Sequence, residues 1–162
     1  ILKDPSLGAK RLVSMPDRVT NTIQLADGTK AMRPTVINCF AGDLPDLDTW
    51  WSEWRTFMFA TPLEVSKSQP KQTPIAMLKP ISQKKYPDIT SDEEELSVPL
   101  SATLLAVFDA ILVHVVNQAS SKWGPIRQTM CHALNEKKND RTAEILETDL
   151  YASDDVIFLQ ES

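Results

Sequence analysis

The chain has 162 residues and a formal net charge of −5, with 42% apolar and 24% charged residues. That is one domain's length, enough for a sizeable core without disulfide or metal staples. Four glycines argue against phosphate-cradling loops, and Cys39 and Cys131, in no C-x-x-C pairing, argue against a zinc knuckle or a disulfide framework, leaving at most one disulfide between them.

No Asn-x-Ser/Thr sequon occurs and no signal-peptide pattern opens the chain, so an intracellular, cytoplasmic protein is expected. The start at Ile1 without methionine suggests an excised domain, a processed product or part of something longer. Charge is unevenly placed. Residues 1–90 carry twelve Lys/Arg against nine Asp/Glu, a net of +3, and residues 91–162 carry five against thirteen, a net of −8. Solvated faces would account for this; so would head-to-tail association, the basic half of one copy meeting the acidic half of the next.

The first forty residues read as β and turn. Ile23 and Leu25 alternate with polar residues, Asp27-Gly28 is a favoured two-residue hairpin turn, and a second extended run passes through Val36 and Ile37. Pro34 cannot donate to a ladder, which makes that strand an edge or an irregular one.

"LPDLDTWWSEWRTFMF", residues 44–59, follows. On a helix, Leu47, Trp50, Trp51, Trp54, Phe57 and Met58 share one face and the polar residues the other. Asp43 or Asp46 caps the start and Pro62 stops it. A one-sided stripe of indoles is first a core-packing surface, then a partner groove. As a base-stacking platform it lacks interleaved basic residues, since Arg55 lies on the far side.

Six of the eleven prolines fall between 62 and 99, at 62, 70, 74, 80, 87 and 99, which forbids a regular helix and predicts a long extended arm. The arm presents Lys67, Lys71, Lys79, Lys84 and Lys85, with apolar anchors Ile75, Met77, Leu78 and Ile81. Loops of such length are usually functional or disordered, and this one can lie across its own body or a neighbour's. It ends in "SDEEEL", an acidic cluster expected at the exposed junction with the next helix and an acidophilic kinase pattern at Ser91.

The longest apolar element is "SVPLSATLLAVFDAILVHVVNQASSKW". Leu104, Leu105, Phe108, Ile111, Leu112, Val115, Val116 and Ala119 form a wide arc expected to face the core, and Thr103, Ala106, Ala110, Val113, His114, Asn117 and Ser121 a milder one. With Asp109 and His114 interrupting a run at the minimum length, it is not expected to span a membrane. Gly124-Pro125 signals a stop and a restart into a helix with Ile126, Met130, Ala133 and Leu134 inward. Asn139 or Asp140 caps a last helix, "RTAEILETDLY", and the tail "DDVIFLQ" needs cover from a closing strand or by docking.

Chemistry finds little to use. Cys131 and His132 are neighbours pointing about 100° apart, so they cannot pair as nucleophile and base. His114 reaches Cys131 only if two helices fold back, and His132 with Glu136 gives two metal ligands without a third. No catalytic residue, cofactor site or metal site is therefore expected.

The expected fold is α+β, predominantly helical, in one domain: a β-hairpin region over 1–42, an aromatic helix over 43–61, the arm over 62–97 and a helical bundle with an apolar tail over 98–162. The expected function is a non-enzymatic assembly or interaction module. Copies or protein partners meet through Lys67, Lys71, Ile75, Met77, Leu78, Lys79, Ile81, Lys84 and Lys85, as in a viral capsid or nucleocapsid subunit. The alternative is an adaptor binding nucleic acid or peptide through the basic arm, nucleic acid being the less favoured partner. A small enzyme using Cys131 or His114 comes third.

Overall fold

The structure, a computed structural model, describes residues 20–158 other than 121, 136 and 155. Expectations for residues 1–19, for Glu136 as a ligand and for the end of the tail lie outside the described residues. What is described is a predominantly helical α+β fold with an antiparallel hairpin at its start.

Strands β1 (Thr22–Gln24) and β2 (Lys30–Met32) pair Ile23 with Ala31. Their connection is longer than a two-residue turn. Gly28 N donates to Leu25 O at 3.0 Å, which makes Ala26 and Asp27 the central residues, and Gly28 follows at φ 89°, where a side chain would be strained. The Asp27 carboxylate accepts from the Thr29 hydroxyl at 2.6 Å and the Thr29 amide at 2.9 Å, which fixes the loop. β2 ends before Pro34, so Val36 and Ile37 lie in bends rather than in a strand.

Helix α1 (Leu47–Arg55) starts at Asp46, whose side chain accepts from Thr49 N at 2.7 Å. Trp50 and Trp54 are buried, as the one-sided stripe predicts, whereas Leu47 and Trp51 stay exposed. The helix continues as a π-helical turn, Thr56–Ala60. Phe57 and Met58 of the stripe are both buried, and the wider turn brings Phe59 out beside Trp54, ring edge to ring face at 6.2 Å.

The arm is docked on its own domain. Leu63 and Gln72 form an antiparallel bridge, a short helix α2 (Pro74–Met77) follows, and Leu63, Leu78 and Ile89 are buried. Its end is tied down by Ile81 N donating to Ser97 Oγ at 2.9 Å and Gln83 N donating to Glu94 Oε2 at 3.0 Å.

Helix α3 (Ser91–Ala119) runs 29 residues and begins two turns ahead of the start expected at residue 98. A capping box explains the shift: Thr90 Oγ1 accepts from Glu93 N, and Glu93 Oε2 accepts from Thr90 N. The acidic cluster is thus the first turn of the helix, where carboxylates favour the N-terminal dipole.

The buried face of α3 corrects the arc expected from hydrophobicity. Ser97, Ser101, Ala102, Leu105, Asp109 and Val113 point inward, while Ile111 and Val115 of the wide arc are exposed. Asp109 explains the rotation. Its carboxylate accepts from Arg33 Nε at 2.7 Å, Arg33 Nη2 at 3.3 Å, Thr35 Oγ1 at 2.8 Å and Trp54 Nε1 at 2.9 Å, and both charged side chains are fully buried. Arg33 Nη1 also donates to Thr20 Oγ1 at 2.9 Å.

Helix α4 (Trp123–Asn135) starts at Trp123, with Pro125 inside its first turn. Its inward residue is Arg127, whose guanidinium donates to Thr35 O at 3.1 Å and Gly42 O at 3.2 Å. Consequently Ile126, Met130 and Leu134, expected inward, are exposed, and only Ala133 of that set is half-buried. A last helix α5 (Lys138–Leu146) begins before Asn139 and Asp140, with Lys137 at its cap position. Turns follow it, and Val156, Ile157 and Phe158 form neither a strand nor a docked tail.

Two expectations follow. Asp109→Leu leaves the Arg33 charge buried without its partner and should lower the unfolding free energy by about 3–5 kcal/mol in urea titrations. The double variant Arg33→Met with Asp109→Leu should recover part of it, and a strictly additive pair would refute the coupling. At the α1 cap, bonds from the Thr49 amide and then the Thr49 hydroxyl hold the Asp46 carboxyl below its usual range. Its contribution is present above the unfolded value and lost as pH falls through the folded one. Asp46→Ala should therefore be less stable than the original at neutral pH, with the gap closing below about pH 4 in thermal melts.

Candidate interaction surface

The geometry that matters lies between α1 and α3. Asn117 Nδ2 donates to Leu44 O at 2.9 Å near one end of the pair, and Trp54 bonds Asp109 further along, so the two helices run antiparallel. Their outer edges enclose a groove of about 610 Å³, within the range of ordinary ligand sites. One wall is aromatic: Trp50, Trp51 and Trp54, with Phe59 turned in by the π-helical turn. The other wall is α3 from Val98 to Ala110, where Ala102, Thr103, Ala106 and Ala110 provide small side chains that leave the space open.

Three features build this shape. Trp51 stacks on Trp54 with centroids 5.6 Å apart, and Trp54 is itself held by Asp109, so the aromatic wall stands on the buried ion pair. Pro99 sits inside α3 and removes one helical N–H, a position that bends or loosens a helix. Ile75 of α2 closes one side, which brings the arm to the rim of the groove.

The residues expected to carry interaction divide into two groups. Ile75 and Met77 pack against the domain's own core, Leu78 is buried, and Ile81 is half-buried beside Ser97. These anchors hold the arm down. Lys67, Lys71, Lys79, Lys84 and Lys85 are all exposed. Lys71 pairs with Glu64 at 3.5 Å, an exposed contact of little energetic weight, and Lys85 lies over the Tyr86 ring at 5.4 Å.

From the groove, whose wall includes Val107, α3 carries an exposed apolar stripe outward. Val107, Ile111 and Val115, four residues apart, are 50%, 55% and 52% exposed. By length and composition α3 is also long enough to cross a membrane. Asp109 opposes that use, since leaving the fold would strip its carboxylate of four donors inside hydrocarbon.

The groups with chemical potential are scattered. His114 and His132 are exposed, and Cys131 Sγ donates to Asn38 O at 3.7 Å within a packed corner. Cys39 and Cys131 stand as thiols with no disulfide. Among the described residues, Trp123 Nε1 is a buried donor with no acceptor. The groove itself was missed in sequence, though the small residues at 102, 103, 106 and 110 opposite three tryptophans were its signal.

The chain belongs to a family described as a domain of unknown function (DUF8234), which matches residues 1–128 and thus takes in the hairpin, both groove walls and the arm. No curated protein and no solved structure matches it.

An open groove has a spectroscopic consequence. Trp50 and Trp54 are buried and Trp51 is 43% exposed. Trp51→Phe should remove most of the acrylamide-accessible emission, with half-buried Trp123 supplying the remainder. Unchanged quenching in the variant would show that the groove is closed in solution.

Proposed function

We propose that the chain is a non-enzymatic assembly module whose copies associate through the apolar face of α3 and the basic arm at the rim of the groove. The observation that carries this is the stripe of Val107, Ile111 and Val115, beside a groove whose lining is almost wholly apolar. Contiguous exposed apolar surface of this kind marks a protein or ligand contact.

The arm adds the electrostatic part. Residues 66–86 contain five lysines and no Asp or Glu, and the anchors that dock the arm keep those lysines on a defined surface. The acidic C-terminal half complements them, and such charges steer encounter and set orientation. A subunit of a viral capsid or nucleocapsid would be built this way.

The test is mass in solution over a range of concentrations and salt. The original chain should grow with concentration, more readily at low salt, because exposed charges are screened while apolar contact is not. Ile111→Glu changes an exposed side chain and should leave a folded species that stays monomeric. Association of Ile111→Glu equal to the original would refute the reading. So would an original chain that remains monomeric throughout, or one that instead binds lipid vesicles.

A further inference from the structure

We propose that the outer edge of β1 receives an extended peptide segment of a partner protein, which adds to the hairpin as a third strand. This goes beyond the assembly reading, since the edge lies off α3, and it rests on the backbone rather than on an apolar face.

The hydrogen-bond pattern of the hairpin defines the edge. Leu25 N donates to Thr29 O at 2.9 Å, Arg33 N donates to Asn21 O at 3.2 Å, and Ile23 lies opposite Ala31. In an antiparallel pair such positions alternate, so Asn21, Ile23 and Leu25 turn their backbone groups toward β2, and Thr22, Gln24 and Ala26 turn theirs away. Ala26 shows what this outer row accepts. Its N–H donates to Glu64 O at 2.8 Å, a carbonyl of the arm beside the Leu63–Gln72 bridge. Thr22 and Gln24, next in the same row, have no backbone partner on that side among the described residues.

A cavity of about 530 Å³ opens beside those two residues, walled by the arm. Leu63, Val65, Ala76 and Met77 give it apolar lining, and of the residues around it Lys79 alone is ionisable. An open strand edge is completed by another extended backbone, whose side chains alternate between the two faces of the sheet. Those on the Ile23 side meet Leu63 and Met77, which pack in the same core as Ile23. Those on the other side lie beside the exposed side chains of Thr22 and Gln24.

The occupant is thereby specified by its chemistry. It is an extended segment with apolar residues at alternate positions, a carboxylate to meet Lys79, and free N–H groups where it pairs with Thr22 and Gln24. A lipid chain or an apolar small molecule would fill the cavity but leave both outward pairs of backbone groups unmatched.

Short random peptides displayed on phage and selected on the full chain test this, with the enriched sequence made as a labelled peptide for fluorescence anisotropy. Enriched sequences should alternate apolar with polar residues and carry Asp or Glu, and Lys79→Glu should weaken their binding. Gln24→Pro removes an outward N–H and leaves the bonds to β2 in place, so it should weaken binding about tenfold, the worth of one well-made hydrogen bond. Gln24→Ala keeps that N–H and should bind like the original. Should Gln24→Pro disturb the hairpin, the unaltered chain gives the answer with two peptides N-methylated at alternate residues in the two possible registers: one should bind like the parent peptide and the other should not. Equal binding of the two methylated peptides, undiminished binding to a folded Gln24→Pro chain, or a selection that enriches no peptide would overturn the proposal. So would dispersal of the chain's own assemblies by Gln24→Pro, which would assign the edge to a second copy.

Discussion

Asp109 has no exposed surface, sits more than halfway along the longest helix, and is neutralised by Arg33, which arrives from the end of the hairpin. A buried carboxylate is tolerated only when its charge is paired and its lone pairs are filled, and here three residues supply four donors. That requirement sets the rotation of α3 about its own axis, because Asp109 has one direction in which its partners stand. It also locks three separate parts of the chain together: the segment after β2 through Arg33 and Thr35, α1 through Trp54, and α3 itself. Arg127 extends the lock to α4 through the carbonyls of Thr35 and Gly42.

The rotation has a cost that appears on the opposite face. A helix carrying Leu104, Phe108, Ile111, Leu112 and Val115 on a broad arc would ordinarily bury them. Turning Asp109 inward takes Ser97 and Ser101 in with it and leaves Val107, Ile111 and Val115 outside. The exposed stripe is therefore a consequence of the buried ion pair, not a separate feature. The same geometry makes the groove, since small residues on the flank of α3 oppose a tryptophan wall that Asp109 orients through Trp54. A site standing on a buried polar network is held rigidly, because moving Trp54 would break a bond to a fully desolvated charge.

Much of the architecture was legible from local pattern. The hairpin, the one-sided aromatic helix, the proline-rich arm and the long apolar helix all rest on residues close together in sequence, and each is present. What could not be read was which face of α3 and α4 points inward. Periodicity ranks faces by hydrophobicity, and here the inward faces carry Asp109 and Arg127, whose partners stand far away: Arg33 is 76 residues from Asp109, and Thr35 is 92 from Arg127. The start of α3 was misread for a different reason. "SDEEEL" looks like a solvated charge run until Thr90 and Glu93 are seen as a reciprocal cap, a signal that was present and outweighed by Pro99. The loop after β1 was longer than the dipeptide implied, because Gly28 supplies the positive φ after a turn centred on Ala26 and Asp27.

The arm changes character once its anchors are placed. An extended, lysine-bearing segment that is free to move would pay the entropy of ordering when it met a partner, and its contacts would be loosely oriented. Here Leu63, Leu78 and Ile89 are buried, Ile75 and Met77 pack on the core, and backbone groups of Ile81 and Gln83 bond to the first turns of α3. The ordering is already complete in the single chain, so the spacing of the exposed lysines is set by the fold. A preorganised surface binds with less loss of freedom than a tether does, and it selects by geometry as well as by charge. Apolar anchors and lysines, interspersed along the arm, thus part company: the anchors face the domain, and the lysines face solvent.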